Sequence, residues 1–314
     1  MPANLTPQYM EAEEAYKRAI TPEEKIDALE EMLRTIPKHK GTDKMQADIK
    51  RRIARLKEAG EAARKKGRPD PYRVEREGAG QVFVVGPPNS GKSALVGRLT
   101  NARVVVASYP FATVQPVPGM MKYEDILIQL VDTPPVLADN CPPALVASIR
   151  SGDAVLMVVD ASSDSCLDDV QDLLDLLEER RVINQGKPHM AVLSKIDLPD
   201  AADNAEILLE AYPDISFVTV SAESREGLEE LPRILFDMLD IIRLYSKPPG
   251  RDVDRAAPFV LKRGGTVAEL AGAIHRDLPR TMKSARVWGS ARFDGQPVPR
   301  EYVLSDGDVV EFRT

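Results

Sequence analysis

The sequence predicts an α/β protein whose central domain is a doubly wound parallel β-sheet. Three observations lead to this prediction. Between residues 81 and 245, short apolar runs alternate with longer helical patterns, which is typical of repeated β–α units. The apolar runs, such as residues 154–159, are apolar throughout, as in strands covered on both faces. A glycine-containing loop joins the first run to the first helical stretch, so ligands are expected at the carboxyl ends of the strands.

The alternation predicts five strands and five helices in a domain that spans residues 80–245. The strands are predicted at residues 81–85, 126–131, 154–159, 190–194 and 216–220. The helices are predicted at residues 92–99, 143–150, 167–181, 204–211 and 227–242.

The regions on either side of this domain have different patterns. Residues 1–75 are predicted to be a basic helical region, in which Thr21, Pro22 and Glu24 suit the start of a helix. The linker before the central domain mixes glycine, proline and charge, and a second linker follows that domain. Residues 255–314 are predicted to form a small α+β domain. Its strands are expected at residues 259–262, 285–288 and 309–312, and its helix at 267–277.

Composition excludes several classes of protein. The chain is 43% hydrophobic and 29% charged, as is usual for a globular protein with a sizeable core. No apolar stretch reaches the roughly 18 residues that a membrane span needs, and the acidic N-terminus does not resemble a signal peptide. Cys141 and Cys166 show no metal-binding or redox spacing. We therefore expect a cytoplasmic protein with reduced thiols and no membrane association.

Charge is distributed unevenly around a net value of −7. Residues 34–68 include thirteen lysines and arginines but only four acidic residues. A basic segment of this kind favours an anionic partner such as RNA, although a solvated helical face explains it equally well.

The residues after the first predicted strand have the spacing G-x-x-x-x-G-K-S in a strand–loop–helix context. This spacing is that of a phosphate-binding loop, whose backbone N–H groups point at phosphate oxygens. Lys92 would reach the β- and γ-phosphates, and the Ser93 hydroxyl would be a Mg²⁺ ligand. A glycine-rich turn before an ordinary helix is the alternative. The predicted phosphate-binding residues are Gly86, Pro87, Pro88, Asn89, Ser90, Gly91, Lys92, Ser93 and Ala94.

Two later positions suit a Mg²⁺ site. Thr113 lies in the segment 109–113, where a switch loop would supply a hydroxyl, and with Lys92 it is a predicted catalytic residue. Asp132 follows an apolar strand, so its carboxylate could hold the water shell of Mg²⁺. A loop threonine and a simple turn are the respective alternatives.

The last two motifs would recognise a base. Asp197 could accept hydrogen bonds from the N1–H and the amine of guanine, which adenine cannot offer. The stem of Lys195 would cover the base, and Ser194 begins this motif. After the next strand, Ser221 and Ala222 could offer backbone N–H groups to the guanine carbonyl.

With these motifs in order, the chain resembles GTPases of the Obg/DRG group over about residues 40–314. The resembling motifs are GPPNSGKS, YPFATV, LVDTPP, LSKIDLP and VSAESREGL. The last region is similar to a TGS domain, a small ubiquitin-like β-grasp module. The resemblance implies a P-loop NTPase fold that binds and hydrolyses GTP with Mg²⁺. It also implies association with the ribosome or RNA through the basic helices and the TGS domain.

The chain departs from the pattern of this group at several positions. Pro135 replaces a glycine and has no N–H for the γ-phosphate, so weaker discrimination between GTP and GDP is expected. Ser194 replaces an asparagine, so lower nucleotide affinity or looser anchoring of the loop is expected, while Asp197 keeps the choice of guanine. Only 33 residues separate Asp160 from Ser194, too few for the extra domain that such proteins carry there.

Two residues bear on hydrolysis. Val136 stands where related enzymes orient water with a glutamine, and a valine cannot do so. Asn89 matches relatives in which asparagine helps to bind K⁺, although it could simply stabilise its loop.

We therefore expect slow GTP hydrolysis, stimulated by K⁺ or by a ribosomal partner. Two alternatives stay open: an RNA- or ribosome-binding adaptor that holds nucleotide without turnover, and a P-loop kinase or ATPase.

Overall fold

The computed structural model describes residues 7–18, 22–37, 42, 45–53, 70–100, 115–137, 141–183 and 186–313. The chain divides into two compact units, Met1–Asp70 and Pro71–Thr314. Among the described residues, every helix is too short or too polar to span a bilayer.

The first unit is helical. It contains α1 (Pro7–Arg18), α2 (Pro22–Thr35) and the helical residues 45–53, α3. Apolar residues three and four positions apart place side chains on one face of each helix. These faces form a small core that includes Tyr9, Leu29, Ile36, Ile49 and Ile53.

The second unit is built on a six-stranded sheet with the order β2-β3-β1-β4-β5-β6. Its strands are β1 (Gln81–Val85), β2 (Val117–Tyr123), β3 (Ile126–Asp132), β4 (Ala154–Asp160), β5 (His189–Ser194) and β6 (Phe217–Thr219). All pairs are parallel except the antiparallel pair of β2 and β3. We did not predict β2, because Pro118 and Gly119 are unfavourable in strands. An edge strand tolerates them.

Helices cover both faces of this sheet. They are α4 (Lys92–Leu99), α5 (Pro143–Ser151), α6 (Cys166–Glu179), α7 (Ala201–Ala211) and α8 (Leu231–Leu239). The apolar faces of α5, α6 and α7 share one core, and those of α4 and α8 share another on the opposite face. The doubly wound α/β fold is therefore confirmed.

The structure differs from our expectation after α8. The helix predicted at 227–242 ends at Leu239, where Asp240 adopts a left-handed conformation with φ of 51°. A new strand, β7 (Ile241–Ser246), begins immediately, since Ile241 and Ile242 are β-branched. Although this stretch lies within the range 80–245 that we assigned to the central domain, β7 is hydrogen-bonded into a second sheet.

The second sheet has the order β10-β9-β11-β7-β8. Its other strands are β8 (Phe259–Lys262), β9 (Ser284–Trp288), β10 (Gln296–Val298) and β11 (Val309–Arg313). Helix α9 (Val267–Ile274) ends earlier than predicted, and the short α10 (Leu278–Thr281) follows it. Thr266 and Glu269 form a capping box at the start of α9, which fixes that boundary.

Arg243 on β7 connects the two sheets. Its guanidinium donates to Asp306, in the loop before β11 of the second sheet, at 2.7 Å. It also donates to Asp125 at 3.2 Å and to Glu124, both in the turn between β2 and β3. It also lies 5.2 Å from the ring centroid of Phe236 on α8. Because one cation serves residues of both sheets, it fixes the second sheet against the first.

Candidate functional site

The loop between β1 and α4 follows the path that its sequence requires. Gly86 lies so close to β4 that a Cβ atom would be 2.2 Å from the carbonyl oxygen of Val158, so a side chain cannot fit. Asn89 and Gly91 have φ of 60° and 90°. These left-handed residues curl the loop, and Gly91 becomes the N-cap of α4. The loop therefore surrounds the N-terminus of a helix, a favourable place for an anion.

Lys92 is the charged centre of this loop. Its Nζ atom donates to the carbonyl oxygens of Gly86 at 2.9 Å and Pro87 at 2.7 Å. Burial lowers the pKa of Lys92 to about 8, although the nearby Asp132 carboxylate acts in the opposite direction. A buried cation of this kind interacts strongly with a phosphate.

Ser93 and Asp132 lie together beside Lys92. The Ser93 hydroxyl donates to Oδ2 of Asp132 at 2.7 Å, and Asp132 is fully buried at the end of β3. A hydroxyl and a carboxylate are oxygen ligands of the type that Mg²⁺ prefers, so the residues fit the predicted ion. Thr113, the other predicted ligand, lies outside the described residues. Within the described part of the chain, no group of three or more His, Cys, Asp or Glu residues could hold a metal.

A cavity of about 290 Å³ opens beside the phosphate loop. Three loops that are distant in sequence supply its wall: the start of α4, the segment after β5 and the segment after β6. The lining residues are Gly91, Ala94, Leu95, Ser194, Lys195, Asp197, Leu198, Val220, Ala222 and Glu223. Four of the five predicted base-recognition residues are thus brought together next to the predicted phosphate-binding residues, namely Ser194, Lys195, Asp197 and Ala222.

Ser194 links the segment after β5, which contains Lys195 and Asp197, to the phosphate loop. Its hydroxyl is within 2.6 Å of the Ser90 carbonyl oxygen and 3.1 Å of the Val159 carbonyl oxygen. We expected looser anchoring from a serine at this position, but the structure has a direct bond. The short side chain reaches because the loop passes close by: a Cβ atom on Gly91 would be 3.2 Å from the Ser194 hydroxyl oxygen.

Ser221 and Ala222 have separate positions in the site. Ser221 is fully buried, and its backbone N–H donates to the Glu226 carbonyl oxygen at 3.0 Å. Its hydroxyl oxygen accepts from the backbone N–H groups of Glu223 and Ser224, which shapes the turn. We expected the Ser221 N–H to face guanine, and this was wrong, because that donor is used within the turn. Ala222 lines the cavity.

Val136 lies in the core of the central domain. Its side chain is 2% exposed and packs in the core between the sheet and α5, rather than facing the phosphate loop. Its backbone N–H donates to the Gly86 carbonyl oxygen at 3.1 Å. The backbone of Val136 thus links the segment after β3 to the phosphate loop. Asn89 is exposed at the tip of that loop.

Sequence reasoning missed four residues of the cavity wall, namely Leu95, Leu198, Val220 and Glu223. Each is within two residues of a predicted site residue, and that adjacency was the available signal. It also missed Asp160, whose carboxylate pairs with Lys195 at 2.5 Å. The position of Asp160 at the end of β4, beside β5, could have indicated it.

Comparison with known proteins agrees with this arrangement. Residues 81–195 match the family described as 50S ribosome-binding GTPase, and residues 242–314 match the TGS domain. The match to the TGS domain begins at residue 242, within β7, and β7 is likewise a strand of the second sheet.

Three relatives cover most of the chain. An uncharacterized GTP-binding protein of Methanocaldococcus jannaschii is 26% identical, over 92% of both chains. Developmentally-regulated G-protein 1 of Arabidopsis thaliana is 28% identical, over 92% of this chain and 90% of its own. Developmentally-regulated GTP-binding protein 1 of Xenopus laevis is 26% identical, over 90% of this chain and 95% of its own. The first alignment spans 359 positions, more than this chain's 314, so that relative has residues that this chain lacks.

Proposed function

We propose that the chain, which matches the 50S ribosome-binding GTPase family over residues 81–195 and the TGS domain over residues 242–314 and is similar to developmentally regulated GTP-binding proteins, is a guanine-nucleotide switch. The observation that carries this proposal is the cavity of about 290 Å³ beside the phosphate loop, with Asp197 in its wall. In this proposal the carboxylate of Asp197 accepts two hydrogen bonds from guanine, and Lys195 covers the base.

The phosphates would bind to the backbone of residues 86–94 and to Lys92. Ser93 and Asp132 would hold Mg²⁺, with Thr113 as a third ligand, and the ion would neutralise phosphate charge during hydrolysis. Their 2.7 Å hydrogen bond supports this assignment, because it places both oxygens in one location.

We propose that hydrolysis is slow without a partner. The buried Val136 supports this, since the side chain after Pro135 cannot orient water from inside the core. K⁺ binding at Asn89 would supply positive charge near the phosphates and stimulate turnover. An exposed Asn89 beside the loop is compatible with such a site.

We propose that the ribosome or an RNA is the partner, and that the protein acts in the cytoplasm. The excess of thirteen basic over four acidic residues between positions 34 and 68 supports an anionic partner. The TGS domain would supply a second contact. The related GTPase family is itself described as 50S ribosome-binding.

The binding proposal is tested by calorimetric titration with GTP, GDP and ATP, each with Mg²⁺. GTP and GDP should bind and ATP should not. Asp197→Ala should weaken GDP binding about 100-fold, as when two hydrogen bonds to one charged group are lost. Asp203→Ala, an exposed carboxylate on α7, is the matched control and should bind as the unmodified chain does. Equal binding of ATP and GDP would refute the proposal.

The turnover proposal is tested by phosphate release in Na⁺ and in K⁺, with and without ribosomes. Fast release in Na⁺ without ribosomes would contradict slow intrinsic hydrolysis. Ribosome binding with no release under any condition would instead support an adaptor that holds nucleotide without turnover.

A further inference from the structure

We propose that Asp160 is a positioning residue for guanine nucleotides, which acts by holding Lys195 in the wall of the base cavity. This inference rests on the proposed function of that cavity. Asp160 is not among the residues that line the cavity, whereas Lys195 is. We infer that the effect of Asp160 on a bound base passes through Lys195, its ion-pair partner.

The carboxylate of Asp160 is held at both oxygen atoms. Oδ1 accepts from the backbone N–H of Ser162 at 3.0 Å and from its hydroxyl at 2.7 Å. Oδ2 accepts from Nζ of Lys195 at 2.5 Å. The first oxygen fixes the plane of the carboxylate, so the second points in a defined direction. Asp160 is thus arranged to orient a cation rather than to react.

The backbone beneath this pair is fixed independently of it. Asp160 on β4 lies opposite Ser194 on β5 in the parallel register. The next residue donates its N–H to the Ser194 carbonyl oxygen at 3.0 Å, and Asn204 on α7 donates to the carbonyl oxygen of Ala161 at 2.8 Å. Because these bonds do not use the Asp160 side chain, a substitution there should leave the strand ends in place.

Lys195 needs a partner of this kind. It has φ of 60°, a left-handed conformation that is uncommon for a residue other than glycine. Its side chain is 35% exposed, so without Asp160 it would move among many rotamers in water. The ion pair holds the amine at the end of β4, which stretches the aliphatic stem of Lys195 beside the cavity. A flat base would then meet an ordered apolar surface rather than a mobile chain.

A double-mutant cycle tests the proposal, with GDP affinity measured by calorimetry for four proteins. They are the full chain, Asp160→Asn, Lys195→Met and the double variant. Asp160→Asn should weaken GDP binding about fivefold, the effect of losing one partly exposed ion pair. In the Lys195→Met background, the same change should have less than a twofold effect, because the residue through which Asp160 acts has gone.

The cycle also distinguishes a positioning role of Asp160 from a purely structural one. If Asp160 is only structural, Asp160→Asn will weaken GDP binding equally in both backgrounds, and this overturns the proposal. Asp160→Asn with unchanged affinity overturns it too. Asp164→Asn, an exposed neighbour in the same loop, is the control and should bind GDP as the unmodified chain does. If the full chain binds no GDP, the proposed function itself fails and this inference fails with it, before any variant is compared.

Should Asp160→Asn not fold, the test passes to Ser162→Ala, which removes one of the hydrogen bonds to Oδ1. It should weaken GDP binding by less than about fivefold in the full chain and leave it unchanged in the Lys195→Met background. Equal weakening in both backgrounds, or none in the full chain, overturns the proposal.

Discussion

Replacing Arg243 with alanine should loosen the attachment of the second sheet to the first. The Arg243 side chain is 12% exposed and donates to Glu124, Asp125 and Asp306. These hydrogen bonds raise the pKa of Arg243, because they favour its charged form, although burial acts in the opposite direction. Removing the cation leaves three carboxylates close together, and it also removes the contact with the ring of Phe236.

The magnitude follows from how well water can replace the lost cation. Truncating one member of a buried, hydrogen-bonded charge pair costs about 2–5 kcal/mol. Here the carboxylate side chains are between 28% and 57% exposed, so water can solvate much of their charge. This puts the loss near the lower end of that range. A cation over an aromatic ring adds about 0.5–1 kcal/mol. We therefore expect the free energy of unfolding to fall by about 3 kcal/mol.

Urea unfolding followed by tryptophan fluorescence is a direct assay. Trp288, the single tryptophan of the chain, lies on β9 of the second sheet and so reports on that sheet. The matched control is Arg263→Ala, whose side chain is 56% exposed and pairs with Asp240 on the surface. Because surface ion pairs contribute little, this control should lose less than about 1 kcal/mol.

Equal shifts of the urea midpoint for Arg243→Ala and Arg263→Ala would show that Arg243 does not hold the two sheets together. Arg243→Lys adds a second check, since it keeps the charge but not the planar group that reaches both sheets. It should recover part of the loss and not all of it.

Three further predictions concern the nucleotide site. Ser194→Ala removes the bond to the Ser90 carbonyl oxygen and should weaken GDP binding about fivefold by calorimetry, as for one hydrogen bond. Unchanged affinity would show that the tether does not organise the loop. Because burial lowers the pKa of Lys92 to about 8 from 10.5, the unfolded chain keeps this proton between those pH values while the folded chain has released it. Stability should therefore rise with pH across this window through this group. GDP affinity should fall as pH rises above about 8, by at most tenfold per pH unit, because phosphate favours the charged lysine, and Lys92→Ala should remove this part of the pH dependence.

Much of the fold was predictable because it depends on local pattern. The buried strands β1, β3, β4 and β5 are continuous apolar runs, and each was expected within one residue of its observed ends. The strand β2 was not predicted, because Pro118 and Gly119 are unfavourable in strands. Its position at the edge of the sheet tolerates both residues. The strand β7 was missed because its apolar pattern continues that of α8, and only pairing with β8 and β11 distinguishes it.

Some features of the candidate site could likewise be predicted from the sequence, and others could not. The spacing around Lys92 predicts a phosphate loop, since its chemistry lies within eight consecutive residues. The use of the Ser221 N–H was not predictable, because it depends on the shape of a turn that closes five residues later at Glu226.

The order of the motifs and the local backbone of the phosphate loop follow from the amino-acid sequence, because glycine positions and apolar runs act over short distances. Which side chains become partners depends on the folded arrangement of the strands. The hydrogen bond of Ser194 to Ser90 joins residues 104 positions apart, and the ion pair of Lys195 with Asp160 joins residues 35 positions apart. Both contacts exist because β4 lies between β1 and β5, and hydrogen bonding between whole strands sets that order.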